Sequence, residues 1–281
     1  MALNFVVLTD FSPAGARAQA YAAALAAPVG AVLHLVHIAS PMPVTTLEYG
    51  LSLPALDGGY VREIRHSLAQ DAARLPVPAT AEVVENDWYA AVVQALAAYR
   101  PALLISGLTA THGRFDEWFS NRTLPLAHNT GYPLLLVPEH LPAAAVHPPR
   151  RLALAVRDQP FALAPPAAAL APLLAALGTA VLPITVLPAA EAGAGQRGWR
   201  AVQHCGLAAA LPPGGLHRVV GPAPAAGIQQ AVAELSADVL ALLDSGHGWM
   251  NMLFGGSVLS EVLRHTQVPV LLLATQELPS E

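Results

Sequence analysis

Residues 6–38 read VVLTDFSPAGARAQAYAAALAAPVGAVLHLVHI, and their pattern predicts the fold of this chain. It contains a short apolar run, an alanine-rich segment, a glycine and a second apolar run. Neither apolar run alternates regularly with polar residues, which is typical of strands that are covered on both faces, as in a parallel sheet. A strand, a helix and a second strand in this order predict a βαβ unit with a right-handed crossover.

The same pattern occurs again as LALAVRDQPFALAPPAAALAPLLAALGTAVLPITV, residues 152–186. A shift of 148 residues, with no gap, places Asp10 on Asp158 and Gly30 on Gly178. Self-similarity at a fixed distance is the signature of a repeated structural unit. The opening of one domain is therefore present twice in this chain.

The later parts of the two copies match as well. Residues 90–107 align with residues 226–243 at a shift of 136, so the second copy is 12 residues shorter in its middle (148 − 136). We predict two tandem domains, residues 1–142 and 149–281, with their boundary in the proline-containing segment HLPAAAVHPPR. Each is expected to be α/β and Rossmann-like, with a five-stranded parallel sheet and helices on both faces.

The composition of the chain limits its partners. Of its 281 residues 54% are hydrophobic and 12% are charged, and the net charge of −5 predicts no nucleic-acid or anionic-membrane surface. Cys205 is the only cysteine, which excludes an intrachain disulfide and suits a cytoplasmic location. Residues 159–190 carry no charge, but their prolines favour a buried helix and strand over a membrane span.

The expected position of a ligand follows from the fold. In parallel α/β sheets, ligands bind at the carboxyl ends of the strands, where the strand order reverses. We expect Asp10, Gly107, Asp158 and Gly246 to follow strands directly and so to lie at this edge. Because the chain is acidic overall, local groups such as backbone amides or a metal would have to hold any polyanion there.

Two stretches point to a known family: TDFSPAGARAQAYAAALAAPVGAVLHLVH near the start and GGSVLSEVLRHTQVPVLLLA near the end. With these the chain resembles the universal stress proteins, in a tandem two-domain form, and the resemblance covers nearly the whole chain. It implies that the two domains pair along their last strands, PLLLVP and PVLLLA, as single-domain members do in homodimers. A homodimer of the whole chain is a further possibility.

Nucleotide-binding members of that family carry a pattern of G-x-x-G, nine residues, and G-S or G-T. Glycines let the backbone approach a phosphate closely, and the helix that follows offers free amides and a favourable dipole. In the second copy the pattern falls on Leu243, Gly246, Gly256 and Ser257, followed by Val258, so that the first glycine is missing. The alternative interpretation is that Gly246 turns the chain and that Ser257 caps a helix without any ligand.

The first copy departs further from the pattern, because Ala110, Ser120 and Asn121 follow Gly107. The resemblance implies instead that the acidic residue at the end of the first strand, Asp10, hydrogen-bonds adenosine, with Thr9 beside it. The alternative is that Asp10 and Ser12 cap the first helix, and both interpretations are compatible.

In the second copy Asp158 is the counterpart of Asp10, but Arg157 replaces Thr9. This substitution puts the adenosine side of a second site in doubt. By this comparison the second copy keeps more of the phosphate pattern, and the first copy keeps more of the region around the strand-end aspartate.

The sequence predicts neither a metal site nor an enzyme. It contains no HExxH or CxxC spacing, and DSGHG at residues 244–248 lacks the G-x-S-x-G spacing of a nucleophile elbow. The resemblance implies a stress-response sensor that binds ATP, with Mg²⁺, in at least one domain. The alternative is an interaction module that has kept the fold and lost the nucleotide.

Overall fold

A computed structural model describes residues 3–39, 58–109, 129–191, 193–207, 215–221, 223–244 and 256–276 of the chain. The first half contains five strands in this part. They are β1 (Asn4–Leu8), β2 (Val32–Ile38), β3 (Ala79–Val84), β4 (Leu103–Leu108) and β5 (Leu134–Pro138). Its longer helices are α1 (Pro13–Ala26), α2 (Gly58–Arg74) and α3 (Trp88–Tyr99).

The second half repeats this alternation with shorter elements. Its strands are β6 (Arg151–Ala155), β7 (Ala162–Leu163), β8 (Ala180–Leu187), β9 (His217–Val220), β10 (Val239–Asp244) and β11 (Val270–Gln276). Its helices are α4 (Pro165–Ala168), α5 (Ala171–Ala176), α6 (Gln196–His204), α7 (Pro224–Glu234) and α8 (Gly256–His265).

The strands form one sheet in the order β3-β2-β1-β4-β5-β11-β10-β6-β8-β9. Within each half the four neighbouring pairs of this order run parallel, and the order is the same when read outwards from the centre. The short strand β7 pairs antiparallel with β11, outside this order. Apolar residues of α1, α2, α5 and α6 are buried on one face, and those of α3, α7 and α8 on the other. The predicted α/β fold with parallel five-stranded sheets is confirmed, with the two-residue β7 as an addition.

An antiparallel seam joins the halves. β5 pairs with β11, with Leu135 opposite Leu271 and both side chains buried. Across this seam Tyr21 of α1 and Leu174 of α5 line the same cavity of about 30 Å³, which is apolar. The two halves therefore share one hydrophobic core as well as one sheet.

The first helix begins where the sequence predicts. The Ser12 hydroxyl accepts a hydrogen bond from the Gly15 amide at 3.0 Å, and Pro13 occupies the first helical position. The Asp10 carboxylate accepts from the Ser12 amide at 3.0 Å, so it supports the cap rather than forming it.

The corresponding helix of the second half is broken. Instead of one buried helix, β7 is followed by α4 and α5, which have four and six residues. Proline lies in the first turn of each short helix. Because a proline has no N–H and its ring clashes with the carbonyl four residues earlier, Pro172 cannot continue a helix that began at Pro165.

The segment at the predicted domain boundary packs against the rest of the protein. Leu141 is buried, residues Ala143–Ala145 form a 3₁₀ turn, and His140 Nε2 donates to the Thr266 carbonyl at 3.0 Å. In the described part of the chain, no helix combines the length and the apolar character needed to cross a membrane.

Truncation of a side chain at the seam tests how much the seam contributes to the free energy of unfolding. Leu271→Ala opens a cavity between the halves, so we expect the free energy of unfolding in urea to fall by about 2–5 kcal/mol. Val220→Ala on the outer strand β9 is the control, because this side chain is 44% exposed, and it should change the value by less than about 0.5 kcal/mol. Equal effects of the two variants would contradict a shared core at the seam.

Candidate functional site

In the first half the strand order reverses between β1 and β4, and the residues after β1 lie at that point. Thr9 is buried there. Its amide donates to the Val36 carbonyl at 3.0 Å, and its hydroxyl accepts from Gln19 Nε2 at 3.0 Å. Asp10, by contrast, is exposed. Of these two predicted site residues, only Asp10 has an exposed side chain.

Two aromatic side chains lie beside Asp10 that sequence reasoning missed. Phe11 is 41% exposed, and its ring centroid lies 5.0 Å from that of His37 at the end of β2. His37 Nδ1 donates to the Thr9 carbonyl at 2.9 Å, which fixes the orientation of the imidazole. Phe11 also adopts a left-handed backbone conformation, φ 62°, which costs a non-glycine residue about 1–2 kcal/mol.

Gly107 lies inside β4, one residue before its end, and not after the strand as the sequence predicts. The first turn of α1 crosses directly over it. A Cβ atom at Gly107 would lie 2.6 Å from the Ala14 carbonyl oxygen and 2.7 Å from the Gly15 nitrogen. The absence of a side chain is therefore required by helix–strand packing, whether or not a phosphate binds.

In the second half the strand-end aspartate has internal partners. Asp158 accepts from the backbone amides of Arg197 at 2.7 Å and Gly198 at 3.2 Å, and so it caps α6. Burial raises the pKa of Asp158, but backbone N–H donors, including that of Gly195, and the Arg197 charge together hold it below its ordinary value. Gly198 packs directly against the Arg157 carbonyl, so α6 sits closely over the end of β6.

Arg157, which replaces the buried threonine of the first half, is half-buried. Its Nη1 is buried without a hydrogen-bond partner in the described part of the chain. Burial lowers the pKa of this guanidinium. An unpaired buried N–H group is costly, and an anion would satisfy it.

The described residues contain no cluster of three or more His, Cys, Asp or Glu side chains that would hold a metal ion. His34, for example, is buried between two hydrogen-bond partners. Its Nδ1 lies 2.8 Å from the Thr80 hydroxyl and its Nε2 lies 3.2 Å from Asn4 Oδ1.

A model of the universal stress protein family matches residues 1–138 and 167–274. The chain belongs to the universal stress protein family. Residues 139–166, which include Arg157 and Asp158, lie between the two matched segments.

Several solved structures have the same fold over both halves. A universal stress protein from Archaeoglobus fulgidus is 16% identical with a TM-score of 0.63, covering 98% of this chain and 97% of its own. A universal stress protein from Pseudomonas aeruginosa UCBPP-PA14, assigned to the family provisionally, is 15% identical with a TM-score of 0.57, covering 98% and 94%. A protein of unknown function from Pseudomonas aeruginosa PAO1 is 14% identical with a TM-score of 0.56, covering 98% and 93%. The search of curated proteins found no significant match.

The phosphate pattern expected from the universal stress proteins is placed only in part. Gly246 lies outside the described residues, as do Ala110, Ser120 and Asn121 of the first half. Gly256 and Ser257 begin α8, and Val258 is half-buried against the core. β10 and β6 are parallel neighbours. Asp244 is the last residue of β10 and Asp158 follows β6, so both lie at the same edge of the sheet.

Gly107→Ala tests the packing role of this glycine. The added methyl group collides with the backbone of α1, so we expect a loss of about 1–3 kcal/mol in the free energy of unfolding. Gly58→Ala is the matched control, because it lies exposed in α2 with no close backbone neighbour, and it should be neutral or stabilising. Chemical denaturation of both variants without any nucleotide measures the difference; a stable Gly107→Ala protein would show that packing does not require the glycine.

Asp158→Ala tests the cap of α6 and its pH dependence. At pH 7 we expect a loss of about 1 kcal/mol, as for other N-cap removals. The folded-state pKa lies below the ordinary value of about 4, so the stabilisation is present above pH 4 and is lost as the pH falls through the folded-state pKa. The stabilities of wild type and variant in urea should therefore draw closer as the pH falls below 4.

The control for this effect is Glu85→Ala, which removes an exposed carboxylate with one long ion pair of 3.9 Å. It should change stability by less than about 0.5 kcal/mol at pH 7. An undiminished difference for Asp158→Ala at pH 3 would mean that the carboxylate charge does not hold α6.

Proposed function

We propose that this chain binds an adenine nucleotide at the carboxyl edge of the first half and acts as a stress-response sensor without enzymatic turnover. The observation that supports it is the exposed Asp10 at the point where the strand order reverses. Its carboxylate is an acceptor for the hydroxyl or amino groups of adenosine. The rings of Phe11 and His37 beside it offer faces on which a purine base stacks.

The backbone of this edge is already organised for such a ligand. Thr9 is held by hydrogen bonds to Gln19 and His37. Gly15 packs closely against Asp10, because a Cβ atom at Gly15 would lie 3.0 Å from Asp10 Oδ1. The carboxylate therefore needs little rearrangement on binding. Preorganised groups bind more tightly because less conformational entropy is lost.

The second half is proposed to bind an anion separately from this nucleotide, because the antiparallel seam places its carboxyl edge at the opposite edge of the sheet. Asp158 is already engaged by two amides of α6, which leaves it poorly placed to bind adenosine. Gly256 and Ser257 at the start of α8 retain the end of the phosphate pattern, and Arg157 has an unpaired buried donor. At the proposed site of the first half, Mg²⁺ would be bound through the nucleotide phosphates rather than by a protein cluster.

The second candidate function is an interaction module without nucleotide. It is favoured by Gly107 and Asp158, because packing against α1 and capping of α6 account for these residues fully. In either case we propose that the seam between β5 and β11 acts as an internal form of the dimer contact of single-domain members.

Calorimetric titration with ATP, with and without Mg²⁺, tests the nucleotide site. Asp10→Ala should weaken binding by about 10–100-fold, because a hydrogen bond to a charged group is worth about 1.5–3 kcal/mol. Ser12→Ala is the matched control: it removes the cap of α1 but keeps the Asp10 carboxylate. It should leave the affinity within about twofold of wild type, which separates the carboxylate from the stability of α1.

Gly256→Asp locates the site by placing a negative charge at the start of α8. If it abolishes ATP binding while Asp10→Ala has no effect, the nucleotide lies in the second half and the proposed location is wrong. If the folded wild-type chain binds no ATP, the nucleotide proposal fails and the interaction module is the better account.

A further inference from the structure

The second half contains a cleft that the proposed nucleotide site does not use. Its volume is about 560 Å³, within the usual range of small-molecule sites. It lies between the segment 160–168 and α6. From Arg197 in the first turn of α6 to Cys205 just after the last, it follows the helix for about 12 Å at a rise of 1.5 Å per residue.

The cleft arises where the two copies diverge. In the first half α1 runs unbroken for 14 residues. In the second half β7 pairs with β11, with Leu163 opposite Thr275, and the Ala164 amide donates to the Ala274 carbonyl at 2.9 Å. This pairing holds the chain toward the seam before α4 begins, and the space beside α6 stays open.

The two walls of the cleft differ in chemistry. Phe161 and Leu163 lie on the apolar wall. The opposite wall carries Arg197, Arg200 and His204, whose spacing of three and four residues places them along one side of α6. No acidic side chain is among the described residues that line the cleft.

The positive charge of this wall is only partly neutralised. Arg197 Nε lies 3.9 Å from Asp158 Oδ2, and because the arginine side chain is 70% exposed the pair is weak. Arg200 has no ion pair within the described part of the chain. An unpaired guanidinium beside an apolar wall complements a ligand with an anionic head and an apolar body.

We propose that this cleft binds an amphipathic carboxylate of the medium-chain fatty-acid class. The carboxylate pairs with Arg200, and the alkyl chain lies against Phe161 and Leu163. An extended chain of about ten carbons, with C–C bonds of about 1.5 Å, has a length similar to that of the cleft. The site is separate from the carboxyl edge of the first half, so the proposal does not rest on nucleotide binding.

Calorimetry of the full chain with hexanoate, octanoate and decanoate, each below its micelle concentration, tests the apolar wall. We expect saturable binding that tightens by up to about fourfold for each methylene buried. Decanol has the same chain without the charge and should bind at least tenfold more weakly than decanoate.

Arg200→Gln tests the basic wall. It should weaken decanoate binding by about tenfold or more, because the charge-assisted hydrogen bonds are lost. Arg65→Gln is the matched control, an exposed arginine on α2, the counterpart of α6 in the first half. It should leave the affinity unchanged.

Cys205 provides a second readout, because it is the only cysteine and lies buried at the end of the cleft. Bound decanoate should slow its alkylation by iodoacetamide, and Arg200→Gln should reduce this protection. The proposal is overturned if decanoate shows no saturable binding, if Arg200→Gln binds as tightly as wild type, or if decanol equals decanoate. Displacement of decanoate by ATP would show that the cleft is part of a nucleotide site and would overturn its separate role.

Discussion

The antiparallel pairing of β5 with β11 joins the two five-stranded parallel sheets into one continuous sheet. Each half ends in a strongly apolar strand, and a bare edge of that kind exposes unpaired N–H and C=O groups as well as leucine side chains. Leu135 opposite Leu271 covers both edges at once. Because the two strands belong to one chain, their effective concentration is high and no second molecule is needed to pair them.

The two halves have the same strand order but differ in the surroundings of the aspartate that follows their first strand. Asp10 stays exposed at its edge, whereas its counterpart Asp158 is held by the first turn of α6. The difference depends on α6, which begins beside the end of β6 and brings Gly198 against the Arg157 carbonyl. Both carboxylates thus accept from backbone amides near a helix start, but only that of Asp10 remains exposed.

Part of the site could be predicted from local sequence. The serine two residues after Asp10, followed by proline, is sufficient to begin α1, because cap, proline and helix are contiguous in the chain. The break between α4 and α5 was missed: one buried helix was expected there, although Pro172 does not allow a continuous helix. Phe11 and His37 were missed, because they are 26 residues apart (37 − 11) and meet only when β1 and β2 pair.

The parallel α/β fold, the duplication and the start of the first helix could be predicted from the amino-acid sequence alone. These depend on the periodicity of neighbouring residues and on the comparison of the chain with itself. Three features became visible only in the folded chain: the close packing of the first turn of α1 over Gly107, the capping of α6 by Asp158, and the cleft between a basic and an apolar wall. The physical reason is distance along the chain: Asp158 and Gly198 are 40 residues apart, and no local pattern specifies which distant backbone will supply the partner.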